Sequence, residues 1–304
     1  MHRVLFAAAA VLSLSGVSVA YAENLKSVAR EDAMMSRGDA LTSRDMLTTV
    51  RGLGLANAMV SSGAGTSAVW HNPAAITSAM MYSIDASYLY DHGVGGHGVE
   101  INLVDMKSNS HVGAGIGFVY EYSAGAQHLI STRIGVGVPL ADNLISLGVT
   151  GVYSYIERHG KEHLSQFSMD VGLMVRPVSW LAIGFSAQNL IVGDYEIYMP
   201  RMITAGISAG SIEYGFNVMF DTSFDISAKD IGKTGSYAVG LEYVLKKLVP
   251  VRLGYRYEGK DHHVISGGLG YRDESGRIGL DLAYQHHFDN YTSEIVSGSL
   301  GVYF

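Results

Sequence analysis

From about residue 80 to residue 304 the hydropathy of the chain alternates at every second residue. At 251–258, Val251, Leu253, Tyr255 and Tyr257 interleave with Arg252, Gly254, Arg256 and Glu258. At 278–285, Ile278, Leu280, Leu282 and Tyr284 interleave with Gly279, Asp281, Ala283 and Gln285. Residues 167–176 and 212–224 follow the same rule. Successive side chains of a strand point to opposite faces, so the pattern predicts strands with one apolar face. Fourteen segments obey it: 80–90, 96–105, 111–122, 127–138, 143–157, 165–176, 180–190, 200–210, 211–225, 235–246, 248–258, 262–272, 276–286 and 293–304. No helical periodicity interrupts the series, which excludes a parallel sheet fed by crossover helices. An even number of amphipathic strands, each about ten residues long, is the arithmetic of an antiparallel transmembrane β-barrel.

Alternation alone leaves open which face meets lipid, because soluble barrels and sandwiches also have one apolar face. Three features favour the membrane. The second face carries Gly, Ser, Asn and charges of both signs, as a wet or plugged lumen would. The apolar faces begin or end in aromatic residues such as Tyr88, Tyr120, Trp180, Tyr257 and Tyr284, as interfacial girdles do. The last strand carries Val296, Leu300, Val302 and the terminal Phe304 on one face, resembling the signal read by the bacterial barrel-assembly machinery. Charged residues are only 16% of the chain, against roughly a quarter in soluble proteins. The net charge of -7 argues against nucleic acid as a partner. With no Cys, disulfides and thiol nucleophiles are excluded.

The N-terminal part reads differently. His2 and Arg3 precede an apolar, Ala-rich run to Ala20, and Ala20-Tyr21-Ala22 has the form of a signal-peptidase site. Residues 1–22 are therefore expected to be a cleaved signal peptide, the alternative being a membrane anchor. Residues 23–45 are polar and charged and read as a periplasmic arm. Residues 46–79 are rich in Ala and Gly, and are expected to fold as a small plug inside the lumen, with 80–304 as the barrel.

Arg51-Gly52-Leu53-Gly54-Leu55-Ala56, Gly65-Thr66-Ser67-Ala68 and Trp70-His71-Asn72-Pro73-Ala74-Ala75-Ile76 carry a resemblance. They resemble the N-terminal signature of the FadL-like barrels, which include long-chain fatty-acid transporters and PorV/PorQ-type outer-membrane proteins. An Asn-Pro-Ala tripeptide just before the first strand marks that superfamily, and Asn72, Pro73 and Ala74 stand there. The resemblance implies an outer-membrane barrel with a plug or hatch. It implies either passage of a hydrophobic or amphipathic small molecule, or a non-transporting role in secretion, surface attachment or assembly. One departure from the transporters is the shortness of the outer connections; only 190–199 is apolar enough to form part of a capture groove.

Physical chemistry gives the tripeptide a plainer reading beside this one. Pro73 forces Asn72 out of helical backbone, and an Asn side chain can bond the backbone of its own turn. Structural turn and gate both stay open at this point. The inward faces should carry Arg133, Asp170, Arg176, Glu213, Asp221, Glu242, Arg252, Arg256 and Asp281. These charges serve either as salt bridges across wall and plug or as a polar path. Arg252 and Arg256, four apart on one face, are candidates to hold carboxylates of the plug or of a ligand. Nine of the twelve His (His92, His97, His128, His159, His163, His262, His263, His286 and His287) crowd the connections after odd-numbered strands. No pair has ligand spacing on a defined element, so no metal is expected. No catalytic constellation, phosphate loop or dinucleotide fingerprint is present, so neither enzymatic activity nor a cofactor is expected. The expected surroundings are outer-membrane lipid and lipopolysaccharide. Deletion of Phe304 should reduce assembly, read as loss of the heat-modifiable band on gels.

Overall fold

Fourteen antiparallel strands close into a ring, each bonded to its sequence neighbours and the last to the first. They are β1 Tyr82–Asp91, β2 Gly96–Asp105, β3 Gly113–Ser123, β4 Gln127–Leu140, β5 Ile145–Arg158, β6 Leu164–Val178 and β7 Leu181–Gln188, followed by β8 Met202–Ser211, β9 Phe216–Asp225, β10 Gly235–Leu245, β11 Val249–Tyr257, β12 His263–Arg272, β13 Ile278–Phe288 and β14 Glu294–Tyr303. The computed structural model describes residues 48–93, 95–123, 127–158, 163–191, 199–211, 215–226, 235–258, 262–288 and 294–304. The signal segment 1–22, the arm 23–45, Glu213 and most of the 190–199 connection lie outside the described residues.

The expected fourteen strands are all present, with ends shifted by a few residues. The period-two pattern fixes the register, because a one-residue slip would turn every apolar side chain inward. Closure pairs Ser83 with Tyr303 and Asp91 with Ile295 across the β1–β14 seam. Phe304 N donates to Tyr82 O at 2.9 Å, so the terminal residue extends that seam by one rung. One register shift occurs, between Val175 and Val178 of β6 against β7. Pro177 lies there, and a proline cannot donate to the ladder.

Every strand presents an apolar residue outward: Ile84, Leu103, Ile116, Ile134, Leu147, Val171, Phe185, Ile207, Phe220, Leu241, Leu253, Leu269, Leu282 and Leu300. Leu253 is 59% exposed and Leu282 64%, values out of place on a soluble protein but ordinary against lipid. Tyr88, Tyr120, Tyr237 and Tyr255 ring one edge of this band, and Trp180, Phe216, Tyr243 and Tyr271 the other. The barrel is therefore a transmembrane one.

Most even-numbered strand ends are joined tightly, the connection 106–112 after β2 being the longest of them. Lys246 and Lys247 both have positive φ, 50° and 61°, and Leu248 N bonds Leu245 O at 2.9 Å. Such a turn matches the twist of the strands it joins. At 273–277, Ile278 N donates to Asp273 Oδ1 at 2.7 Å and Ser275 also donates to its carboxylate, which holds the Asp273 carboxyl below the usual range. Short turns mark the periplasmic rim and longer connections the outer one. By this rule β1 starts, and β14 ends, at the periplasmic rim.

A cation on the lipid face at mid-membrane costs about 2–4 kcal/mol. Leu253→Arg should lower the unfolding free energy in lipid by about that much, and Leu253→Ala by much less. Equal effects in a urea titration of the membrane-folded protein would show that this face is not in lipid.

Candidate functional site: the lumenal plug

Residues 48–79 lie inside the ring. They form helix α1 (Val50–Gly54), a short 3-10 turn (Gly65–Ser67), helix α2 (Ala68–His71) and a 3-10 helix (Pro73–Ser78). Thr49 caps α1, its hydroxyl accepting from Gly52 N at 3.3 Å. The helix ends where Ala56 and Asn57 take positive φ, 51° and 65°, a left-handed pair that turns the chain back. Asn adopts this backbone readily but Ala does not, so the turn is strained at Ala56 and is held from outside. Arg256 of β11 does this, donating from Nη1 to Ala56 O at 3.0 Å.

The wall receives the plug on glycines. The plug backbone at Pro73–Ala74 lies against Gly148 of β5, Asn72 against Gly172 of β6 and Val60 against Gly184 of β7. Ala56 lies against Gly254 of β11 in the same way, and the Trp70 ring covers Gly117 of β3. A Cβ at Gly148, Gly172, Gly184 or Gly254 would collide with the plug, and one at Gly117 would crowd the Trp70 ring, so the ring is the right width only because its inner wall is bare there. Trp70, Val69, Ala74, Ala75 and Ile76 form an apolar cluster with Val104, Val119 and Met174 of the wall. Leu55, Ala58 and Met59 form a second with Met219 and Ala238.

Polar bonds tie the plug to the wall nearly all the way round. Asp221 Oδ2 accepts from Val60 N at 2.8 Å. Gln188 Nε2 donates to Trp70 O at 2.8 Å, and Ser208 to Ser61 O at 3.2 Å. Thr66 donates to Asp85, and Arg176 to Ser78. Trp70 Nε1 donates to Asn102 Oδ1 at 2.7 Å, while Asn102 Nδ2 donates to Asp85 at 2.8 Å and to Glu100 at 2.6 Å. The Arg133 guanidinium sits over the Trp70 ring, 5.0 Å from its centre, and pairs with Asp170 at 2.5 Å.

Asn72, Pro73 and Ala74 are wholly or nearly buried. Asn72 Oδ1 accepts from Ala74 N at 3.1 Å, closing a local turn and capping the helix that Pro73 begins. Its Nδ2 donates to Val60 O at 2.8 Å and to Leu173 O of β6 at 3.2 Å. One side chain thus joins two parts of the plug to the wall.

The structure brings Glu242, Arg252 and Asp281 together. Arg252 pairs with Glu242 at 2.6 Å and with Asp281 at 2.5 Å, and Arg272 reaches Asp281 at 2.8 Å. The plug joins this chain through Arg51, which meets Glu242 at 2.9 Å. Of the two alternatives for Arg252 and Arg256, a carboxylate of the plug or of a ligand, the first is corrected: residues 48–79 contain no Asp or Glu, and the charge pair between plug and wall runs the other way, from Arg51 to Glu242. Arg256 pairs with Glu258 at 2.7 Å beside its bond to Ala56. Residues that local pattern did not single out include Asn102, Gln188 and the wall glycines at 148, 172 and 184. The glycines are in phase with the lumenal polar residues of their strands, such as Ser146 and Thr150 of β5, Asp170 of β6 and Ser186 of β7, which is the available signal.

Beside the plug, against β1, β13 and β14, lies a cavity of about 280 Å³. Arg51, Thr66, Asp85, Arg272, Asp281 and Tyr303 line it, and Gly276 of a periplasmic turn stands at its edge. Nearer the outer rim, Glu121 is fully buried on β3, and neither carboxylate oxygen has a hydrogen-bond partner among the described residues.

No protein-family model matches this chain, and no curated protein does. Solved structures do. The CymD monoaromatic hydrocarbon channel superposes with a TM-score of 0.63 at 13% identity, covering 84% of this chain and 97% of that one. A FadL homologue of Pseudomonas aeruginosa gives 0.59 at 13% identity, covering 84% and 98%. The fold is that of the FadL-like barrels. The P. putida toluene transporter TodX gives 0.57 at 9% identity, covering 82% and 96%. At these identities the likeness is one of fold.

Overpacking a close backbone contact costs about 1–3 kcal/mol. Gly254→Val should push Ala56 off the wall and expose Arg51 to trypsin, while the barrel stays heat-modifiable. Unchanged protection of the plug would show that the glycine contact does not hold it.

Proposed function

We propose that the protein is an outer-membrane transporter that passes an amphipathic small molecule around a plug that stays in place. The plug itself carries the reading: it fills the lumen, yet is held by hydrogen bonds and contact with glycine rather than by an unbroken apolar seal. Such a closure blocks free diffusion and lets a small local shift open a path. The hydrocarbon and toluene specificities in the names of the similar structures support a cargo with an apolar body. The lining of the plug-side cavity supports a polar end, since Arg51, Asp85, Arg272 and Asp281 would otherwise meet hydrocarbon. The unbonded Glu121 carboxylate offers an acceptor to a donor on the same molecule. Asn72 is the hinge of choice, because it holds α2, the segment at Val60 and β6 at once.

A second reading, a barrel serving secretion, attachment or assembly, is favoured by the buried ion-pair chain from Arg51 to Arg272, which would fix a permanent stopper. Uptake separates the two. The intact protein should show negligible steady conductance in planar bilayers, and deletion of 23–70 should open water-filled channels. Asn72→Ala removes the bonds to Val60 and Leu173, worth about 1–3 kcal/mol together. Under the transport reading it cuts uptake of an amphipathic probe severalfold with the barrel still in the membrane. Uptake unaffected by Asn72→Ala and by Pro73→Ala would favour the second reading, and large steady currents from the intact protein would overturn both.

A further inference from the structure

The outer rim carries a repeated pair of side chains. Tyr88 Oη lies 2.6 Å from His97 Nδ1 across β1 and β2. Tyr120 Oη lies 2.7 Å from His128 Nδ1 across β3 and β4. Tyr255 Oη lies 2.8 Å from His263 Nδ1 across β11 and β12. In each hairpin a second tyrosine, Tyr90, Tyr122 or Tyr257, is the direct cross-strand partner of the same histidine, with ring centres 5.0 Å, 5.1 Å and 5.3 Å apart. Tyr155 of β5 and His163, the residue before β6, make the ring contact alone, at 5.5 Å. With β14 next to β1, these hairpins fall on one continuous arc of the ring from β11 round to β6. Tyr88, Tyr120 and Tyr255 stand on the lipid-facing side, at the outer edge of the apolar band.

The pairing has a chemical consequence. Phenol is more acidic than a neutral imidazole N–H, so the hydroxyl donates to Nδ1; this assignment rests on acidity and distance. The imidazole proton then sits on Nε2. If the ring gains a second proton, Nδ1–H donates to the phenol oxygen instead, and Nε2–H remains a donor. In both states Nε2 is therefore a hydrogen-bond donor, and for His97, His128 and His263 it has no partner among the described residues. A row of fixed donors just beyond an aromatic girdle lies at headgroup height, where the outer leaflet presents sugar phosphates. Phosphate oxygens are strong acceptors for such donors.

We propose that the arc from β11 to β6 binds the phosphorylated glycolipid of the outer leaflet, each Tyr–His pair holding an imidazole Nε2–H toward a lipid A phosphate. The proposal rests on the outer-membrane reading above, which cell fractionation tests separately. The experiment is native mass spectrometry of the purified full-length barrel released from nanodiscs of phosphatidylethanolamine doped with one probe lipid. The probes are bisphosphorylated lipid A, the same lipid after phosphatase treatment, and phosphatidylglycerol. The wild-type protein should retain bisphosphorylated lipid A at least about fivefold better than either other probe, as several charge-assisted bonds allow. The combined variant His97→Phe, His128→Phe, His263→Phe keeps the ring bulk and should lose that preference. Tyr88→Phe, Tyr120→Phe, Tyr255→Phe frees the tautomer and should reduce it. Equal retention of phosphorylated and dephosphorylated lipid A by the wild-type protein would overturn the proposal. So would an undiminished preference in the histidine variant, or equal retention of phosphatidylglycerol, which would make the arc a general anionic surface. If the histidine variant does not fold, the wild-type lipid comparison and the tyrosine variant still decide.

Discussion

A ring of fourteen strands encloses more space than its own inward side chains can fill. The rest of the structure follows from how that space is occupied. The contact between plug and wall glycine is the solution found here: at Gly148, Gly184 and Gly254 the wall has no side chain and main chain meets main chain, while Gly172 makes room for the Asn72 side chain. Close approach of this kind brings the plug's carbonyls and amides within reach of the wall's polar groups. Val60 N finds Asp221, and Trp70 O finds Gln188. A bulkier wall would hold the plug away and leave those buried groups unbonded, at a cost of about 1–3 kcal/mol for each.

Electrostatics inside the ring obeys the same geometry. Arg51 enters between wall charges that already balance one another, so Glu242 serves Arg51 and Arg252, and Asp281 serves Arg252 and Arg272. Buried charges are tolerable when every one has a partner of opposite sign with good hydrogen-bond geometry. Glu100 and Glu121 depart from that rule on the described wall: Glu100 is bonded only to the neutral side chains of Ser87 and Asn102, and neither carboxyl oxygen of Glu121 has a partner among the described residues.

The wall was legible in the sequence because its signal is local. Val251 to Glu258 alternate without a break, and the structure places Arg252, Gly254 and Arg256 inside and Leu253 and Tyr255 outside. The plug was legible only as a change of composition. Its 3-10 and helical turns have no periodicity to read, and its anchors join residues far apart in the chain: Arg51 and Glu242 are separated by 191 positions. Asn72 and Pro73 were readable as a turn, since that depends on neighbouring residues, whereas the bond from Asn72 to Leu173 was not. The crowding of histidines after odd-numbered strands was visible, but their pairing with tyrosines appears only once the register sets Tyr90 opposite His97 and Tyr257 opposite His263.

The 3-10 helix Pro73–Ser78 runs almost directly into β1, and β1 is one side of the β1–β14 seam. That adjacency sets an order of events in time. The plug precedes the first strand in the chain, and the seam joins residues such as Ser83 and Tyr303, which are 220 positions apart. Contacts of such long range form late. While the sheet is still an open, curling sheet, its glycine-lined face can wrap around the plug already tethered to its first edge. A ring that shut early would leave the plug stranded outside a finished wall. Tethering at the seam makes the last step of barrel formation also the step that locks the plug in.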